Sequence, residues 1–163
     1  MGIVLVRVDQ RLVHGIVVTQ VTKSVNAKRI MVIDDQISQD ENQKAIMRMS
    51  KPAGTGMSII SVETAVQNIL AGKYEDHNVL VVVRDISVIV KLVERGVFLP
   101  KIQLGIIFER EDRERFTKSV SLNPQEQLEL QALSLEGIPI IFRFTPTDKE
   151  EAFDKYVKNN YGE

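Results

Sequence analysis

Short runs rich in valine and isoleucine recur along the chain, at Ile3 to Val8, Ile30 to Ile33, Met57 to Ile60, Val79 to Val83, Ile102 to Ile107 and Ile138 to Phe144. Runs of this length and composition, bounded by charge, read as strands. Several are apolar at consecutive positions, so both faces of the strand must be buried, and a parallel sheet covered by helices on each side meets that demand. The expected fold class is therefore α/β: an open, doubly wound, mostly parallel sheet with helices on both faces. Between the runs, Val62, Ala65, Val66, Ile69 and Leu70 recur at helical spacing after Ser61, a candidate N-cap, and before Gly72, a candidate C′ residue. Ser38 with Glu41 and Thr147 with Glu150 have capping-box spacing, and Asn123-Pro124 sets a cap before proline at the first helical position, which predicts three more helix starts.

Two segments pull in different directions. In residues 16–25, "IVVTQVTKSV", the β-branched residues favour a strand, whereas Val17, Val18, Val21 and Val25 fall at helical spacing. A second strand directly after the first would need a turn signal that is absent, and Gly15 suits a strand-to-helix turn, so a helix is expected. Pro139 cannot donate to a ladder, which predicts an edge position or an irregular start for the last run, and the sheet is expected to include an antiparallel edge strand. The charged "EREDRERFTKS" at 109–119 predicts a solvated loop or an exposed strand pair.

The chain has 163 residues, 44% of them hydrophobic, which suits one domain spanning 1–163. With 21 basic and 22 acidic side chains the formal charge is −1, so no global field draws in nucleic acid or an anionic membrane. Absence of cysteine excludes disulfides, thiol nucleophiles and thiolate metal sites, and fits a cytoplasmic location. The apolar run Ile3 to Val6 is too short for an export signal. The longest apolar stretch, "NVLVVVRDISVIVKLV", is broken by Arg84, Asp85 and Lys91 well before the ~20 residues a membrane helix needs, so no membrane insertion is expected.

The segment "VRVDQRLVHG" at 6–15 gathers two arginines, an aspartate and one of only two histidines. If Ile3 to Val8 is a strand and a helix begins near Gly15, Asp9 to His14 form the loop at the carboxyl end of the first strand, where open parallel sheets bind ligands. The helix N-terminus favours an anion beside His14, and Arg11 adds a planar donor fork matched to phosphate oxygens. Asp9 is placed to hold one imidazole nitrogen as N–H and leave the other nucleophilic. A neutral imidazole, with its ordinary pKa of ~6.5, is largely available at neutral pH, so phosphoryl chemistry needs neither cysteine nor metal here. The competing reading makes His14 a simple helix cap and Arg11 with Asp9 an ordinary surface ion pair worth about 0–1 kcal/mol.

"RVDQRLVHG" resembles the motif of the IIB subunits of the mannose/fructose/sorbose family of bacterial phosphoenolpyruvate-dependent sugar phosphotransferase systems. The resemblance extends through "VIDDQISQDENQKAIMRMSKPAG" at 32–54 and "SVSLNPQEQLELQALSLEGIPIIFRFTPTD" at 119–148. It implies a doubly wound domain acting as a phosphohistidine–sugar phosphotransferase. His14 would accept a phosphoryl group from a IIA phosphohistidine and pass it to a sugar held by membrane IIC and IID subunits. Arg11 would stabilise the group and Asp9 orient the loop, with no cofactor and no metal. The family's usual Gln, Trp and Asn are replaced here by Ile16, Val21 and Gln103, departures that bear on partner docking and transfer rate. The alternative is a divergent regulatory or anion-binding module that no longer serves a sugar.

Other candidates carry weaker signals. Asp34 and Asp35 close the second strand on the same rim, where such pairs more often cap or turn the chain than bind metal. Arg7 and Arg84 end strands on that side and are candidates to add to a phosphate field, though snorkelling surface arginines are the commoner expectation. His77 lies in a polar connection and reads as solvated. The glycines of "PAGTGMS" lack the residues of a Walker loop or a dinucleotide fingerprint. Met47, Met49 and Met57 read as core filler.

Overall fold

The computed structural model describes residues 2–156, and in it every Val/Ile-rich run contains a strand. The first half of the chain runs β1 (Gly2–Asp9), α1 (Gly15–Ser24), β2 (Arg29–Ile33), a 3-10 turn at Ile37–Gln39, α2 (Glu41–Met49), β3 (Gly56–Ile60) and α3 (Val62–Leu70). The second half runs β4 (Asn78–Val83), α4 (Ile86–Glu94), β5 (Ile102–Ile106), β6 (Glu114–Arg115), β7 (Ser121–Leu122), α5 (Pro124–Leu135), β8 (Ile140–Phe142) and β9 (Glu151–Ala152). Met1 and residues 157–163 of the expected 1–163 domain lie outside the described residues.

The main sheet has the order β3-β2-β4-β1-β5-β8-β9 and is parallel except for β9, which pairs antiparallel with β8. Its two faces bury separate cores. On one face α1 and α2 set Val18, Val21 and Met47 against Leu5, Ile30, Val32, Ile59, Leu80 and Val82. On the other, α3, α4 and α5 set Val66, Ile89, Leu92, Leu130 and Leu133 against Val6, Val8, Met31, Ile33, Val81 and Val83. Alternating strand residues thus feed opposite cores, which is why the strands are apolar at consecutive positions. Each fully buried Val, Leu or Ile contributes about 1.5–3 kcal/mol, so the central strands anchor the fold.

Several local expectations change. Asp40, not Ser38, caps α2: its carboxylate accepts from Gln43 N, while Ser38 lies in the preceding 3-10 turn with its hydroxyl donating to Asp35 O. Thr147 and Glu150 start no helix, because the Asp148 carboxylate accepts from Thr145 N and closes a turn that leads into β9. The chain becomes helical only from Phe153. Pro139 sits one residue before β8 and its carbonyl accepts from Ile102 N, so it marks the irregular start of an inner strand while β9 takes the edge. Within 109–119, β6 pairs antiparallel with β7 as an exposed ribbon. Met47 is buried, but Met49 is 85% exposed and fills no core.

Candidate functional site

β1 is flanked by β4 and β5, and the chain leaves it toward β2 on one side while β5 and β8 extend on the other. Its carboxyl end is therefore the crevice where such sheets open to ligands. Alternation puts Arg7 and Asp9 on one face of β1, level with Gln103 of β5, which pairs with Arg7.

Arg7 is 1% exposed, so it is a buried cation and not the snorkelling surface arginine expected. Its burial is sustained by acceptors on every side. Nε and Nη2 donate to Asp9 Oδ2 at 3.3 and 3.2 Å, and Nη1 donates to Gln103 Oε1 at 2.6 Å. The carbonyls of Arg143 and Phe144 accept from Nη1 and Nη2 at 3.2 and 2.9 Å. Burial pulls the guanidinium below its usual pKa, and Asp9 opposes that shift. The fork lies flat on β5 because residue 105 is glycine: a Cβ there would stand 2.3 Å from Arg7 Cζ.

Asp9 is 3% exposed and its carboxylate is fully engaged. Oδ2 takes Arg7, and Oδ1 accepts from Arg11 N at 2.9 Å and Arg11 Nε at 3.5 Å. The expectation that Asp9 holds the His14 imidazole is corrected accordingly: its oxygens are committed to the two flanking arginines, including the backbone N–H of Arg11 in the loop.

The loop then turns sharply. Leu12 N donates to Asp9 O at 2.8 Å, with Leu12 at φ 58° and Gly15 at φ 57°. A left-handed leucine costs about 1–2 kcal/mol, offset here by burial of Leu12 and Val13 beneath the loop. These two anchors leave His14 exposed, in extended conformation at the N-cap position of α1. Its side chain makes no capping hydrogen bond, so the simple helix-cap reading fails. The first turn of α1 has no acidic residue, so its unpaired backbone N–H groups and the positive end of the helix lie next to His14 in the chain without a carboxylate from that turn to compete for them.

Arg11 completes the group. Its guanidinium lies 5.9 Å from the centroid of the Phe144 ring, and its Nη2 is buried with no hydrogen-bond partner among the described residues. A buried guanidinium nitrogen without an acceptor is costly, and an anion's oxygen would relieve it.

The remaining candidates are structural. Asp34 accepts from Ile37 N and from Arg84 Nε at 2.7 Å, and Asp35 accepts from Val62 N at the start of α3. Arg84 is paired there and with Gln36 at 2.7 Å, so its charge is spent at β2. No group of three or more His, Asp and Glu residues able to hold a metal occurs among the described residues. His77 is half-buried, not simply solvated: Nδ1 meets Asp76 at 2.6 Å and Nε2 accepts from Arg29 Nε at 3.2 Å. Gln10, Gly105 and Phe144 also shape the site without having been singled out in the sequence. Their partners lie far along the chain, and no local spacing marks them.

Residues 3–162 match the family model described as the PTS system sorbose subfamily IIB component. The chain belongs to that family. The fructose-specific EIIB component of Bacillus subtilis is 32% identical over 98% of both chains. The mannose-specific EIIAB component of Escherichia coli is 28% identical over 91% of this chain, which spans 46% of that longer protein. Among solved structures, the IIB domain of the sorbose permease from Klebsiella pneumoniae superposes with a TM-score of 0.92 at 28% identity, covering 98% of each chain. The exposed histidine, the paired arginines and the sheet order thus occur in a IIB component of the sugar phosphotransferase system. Among the described residues no helix is long and apolar enough to cross a membrane.

Proposed function

We propose that this IIB component carries a transferable phosphoryl group on His14, taken from a IIA phosphohistidine and delivered to a sugar held by membrane IIC and IID subunits, in the cytoplasm. The observation that carries the reading is the pairing of an exposed, uncapped His14 at an acid-free helix N-terminus with an Arg11 nitrogen that is buried and unpartnered. In the first step a His14 imidazole nitrogen forms an N–P bond as the donor's N–P bond breaks, and the electron pair returns to the donor imidazole. In the second, a sugar hydroxyl oxygen attacks phosphorus, the N–P bond to His14 breaks, and the hydroxyl proton is released to the departing imidazole or to water. Both transition states are loose and strongly anionic, so positioning and positive charge matter more than acid or base groups. Arg11 and the α1 N-terminus supply that charge, and Asp9 fixes Arg11.

The fusion of IIA and IIB in the E. coli mannose protein supports a IIA partner. Two of the departures from the family pattern have structural roles. Val21 packs in the core under α1, and Gln103 serves as the acceptor for Arg7. Membranes carrying matched IIC and IID, supplied with phosphoenolpyruvate, the general carriers and a IIA protein, should phosphorylate sugar with this protein and not with its His14→Ala variant. Labelling of His14 without sugar phosphorylation would instead favour a regulatory module, and saturable anion binding without labelling would favour a simple binding module.

A further inference from the structure

Residues 109–115 form a solvated, charged segment with one exception. Glu109, Arg110, Asp112 and Arg115 have side chains between 50 and 69% exposed, whereas the Arg113 side chain is 4% exposed. Arg113 turns inward and commits four of its five N–H donors. Nε and Nη2 donate to Glu126 at 3.1 and 2.9 Å, while Nη1 donates to Phe108 O at 2.9 Å and to Gln10 Oε1 at 3.2 Å. Gln10 lies between Asp9 and Arg11, in the loop that presents His14. Its Oε1 also accepts from Phe108 N at 3.0 Å, its Nε2 donates to Arg84 O at 3.3 Å, and its backbone N donates to Ile106 O at 3.0 Å. Glu126 in turn closes the capping box of α5, accepting from Asn123 N at 2.9 Å.

A loop needing only an anchor would bury an apolar side chain there at lower desolvation cost than a guanidinium. The planar fork does something an apolar anchor cannot: it clamps the side-chain carbonyl of Gln10 to the N-terminus of α5 with fixed direction. We propose that Arg113 is a positioning residue for phosphoryl acceptance, acting through Gln10 to hold Arg11 and His14 in register. The proposal rests on the assignment of His14 as phosphoryl carrier. Misplacement of reacting groups by about 1 Å costs up to about a hundredfold in rate, so a loosened Gln10 should register in turnover more than in donor binding.

The test uses the full chain with a phosphorylated IIA protein as donor and follows His14 labelling at several donor concentrations. Arg113→Met should lower kcat about tenfold, with KM for the donor within about twofold of wild type. Because that variant strands the Glu126 carboxylate, the double variant Arg113→Met/Glu126→Gln is measured beside it. Glutamine still closes the capping box and no charge is left unpaired, so its melting temperature should approach wild type while kcat stays low. Arg113→Lys, which keeps the charge but lacks the fork, should recover part of the loss. A folded double variant with wild-type kcat would overturn the proposal. So would an equal kcat loss in Val66→Ala, a core truncation under α3, for that would mark a general stability effect. Absence of label on His14 in the wild type would instead reject the carrier assignment itself.

Discussion

A methyl group added at Gly105 would stand 2.3 Å from Arg7 Cζ and 2.4 Å from Nη2, so the guanidinium must move. Moving it breaks bonds to Asp9, Gln103 and two backbone carbonyls, and Asp9 is what holds Arg11. Gly105→Ala should therefore destabilise the fold by about 1–3 kcal/mol in urea denaturation and slow His14 labelling as well. Wild-type stability with wild-type labelling would mean that the Arg7 layer does not support the site. At this scale the sequence was partly readable. His14, Arg11 and Asp9 lie within six positions of one another, so their shared loop follows from the strand and turn pattern alone. The burial of Arg7 does not, because its acceptors Gln103 and Phe144 are 96 and 137 residues away and carry no spacing signal. The same distance hid the commitment of Asp9, whose carboxylate faces the arginines once Arg7 is buried.

Elements were readable where a start signal and a periodicity agreed. α3 has both, with Ser61 as its cap, while α5 is marked by its start signal alone, Asn123 before Pro124, and there Asn123 with Glu126 forms a complete capping box. Asn123→Ala should cost about 1 kcal/mol in urea denaturation, more than an average exposed substitution, because Asn123 Nδ2 also donates to Asp112 at 3.0 Å. A cost near zero would show that α5 does not depend on this cap. α2 takes Asp40 and not the expected Ser38 as its cap, because the 3-10 turn held by Asp34 takes up Ser38. α4 was not readable as a helix. Ile86, Val88, Ile89, Val90 and Val93 are β-branched, and Asp85 at its N-cap makes no capping bond, so tertiary packing against the sheet overrides local preference. In α1 periodicity prevailed over propensity for the same reason, with Val18 and Val21 filling one core.

For the whole molecule, apolar residues at consecutive strand positions specified a sheet buried on both sides, and the structure places α1 and α2 on one face and α3, α4 and α5 on the other. The order of strands was beyond periodicity, because pairing between distant segments leaves no mark in a local pattern. That order matters for function: with β1 between β4 and β5, its carboxyl end opens at the crevice and the loop from Asp9 to His14 sits on it. Exposed Phe108 and Phe144 stand on loops beside this rim and give it apolar surface close to Arg11 and Gln10. The central claim is that His14 is the phosphoryl carrier, and the most direct test is labelling of the purified chain. The protein is incubated with phosphoenolpyruvate, the general phosphotransferase carriers and a IIA protein, then examined by mass spectrometry beside its His14→Ala variant. One acid-labile phosphoryl group on His14, absent from the variant, is the predicted result. No label with a competent IIA, or an equal label on the variant, would contradict the account.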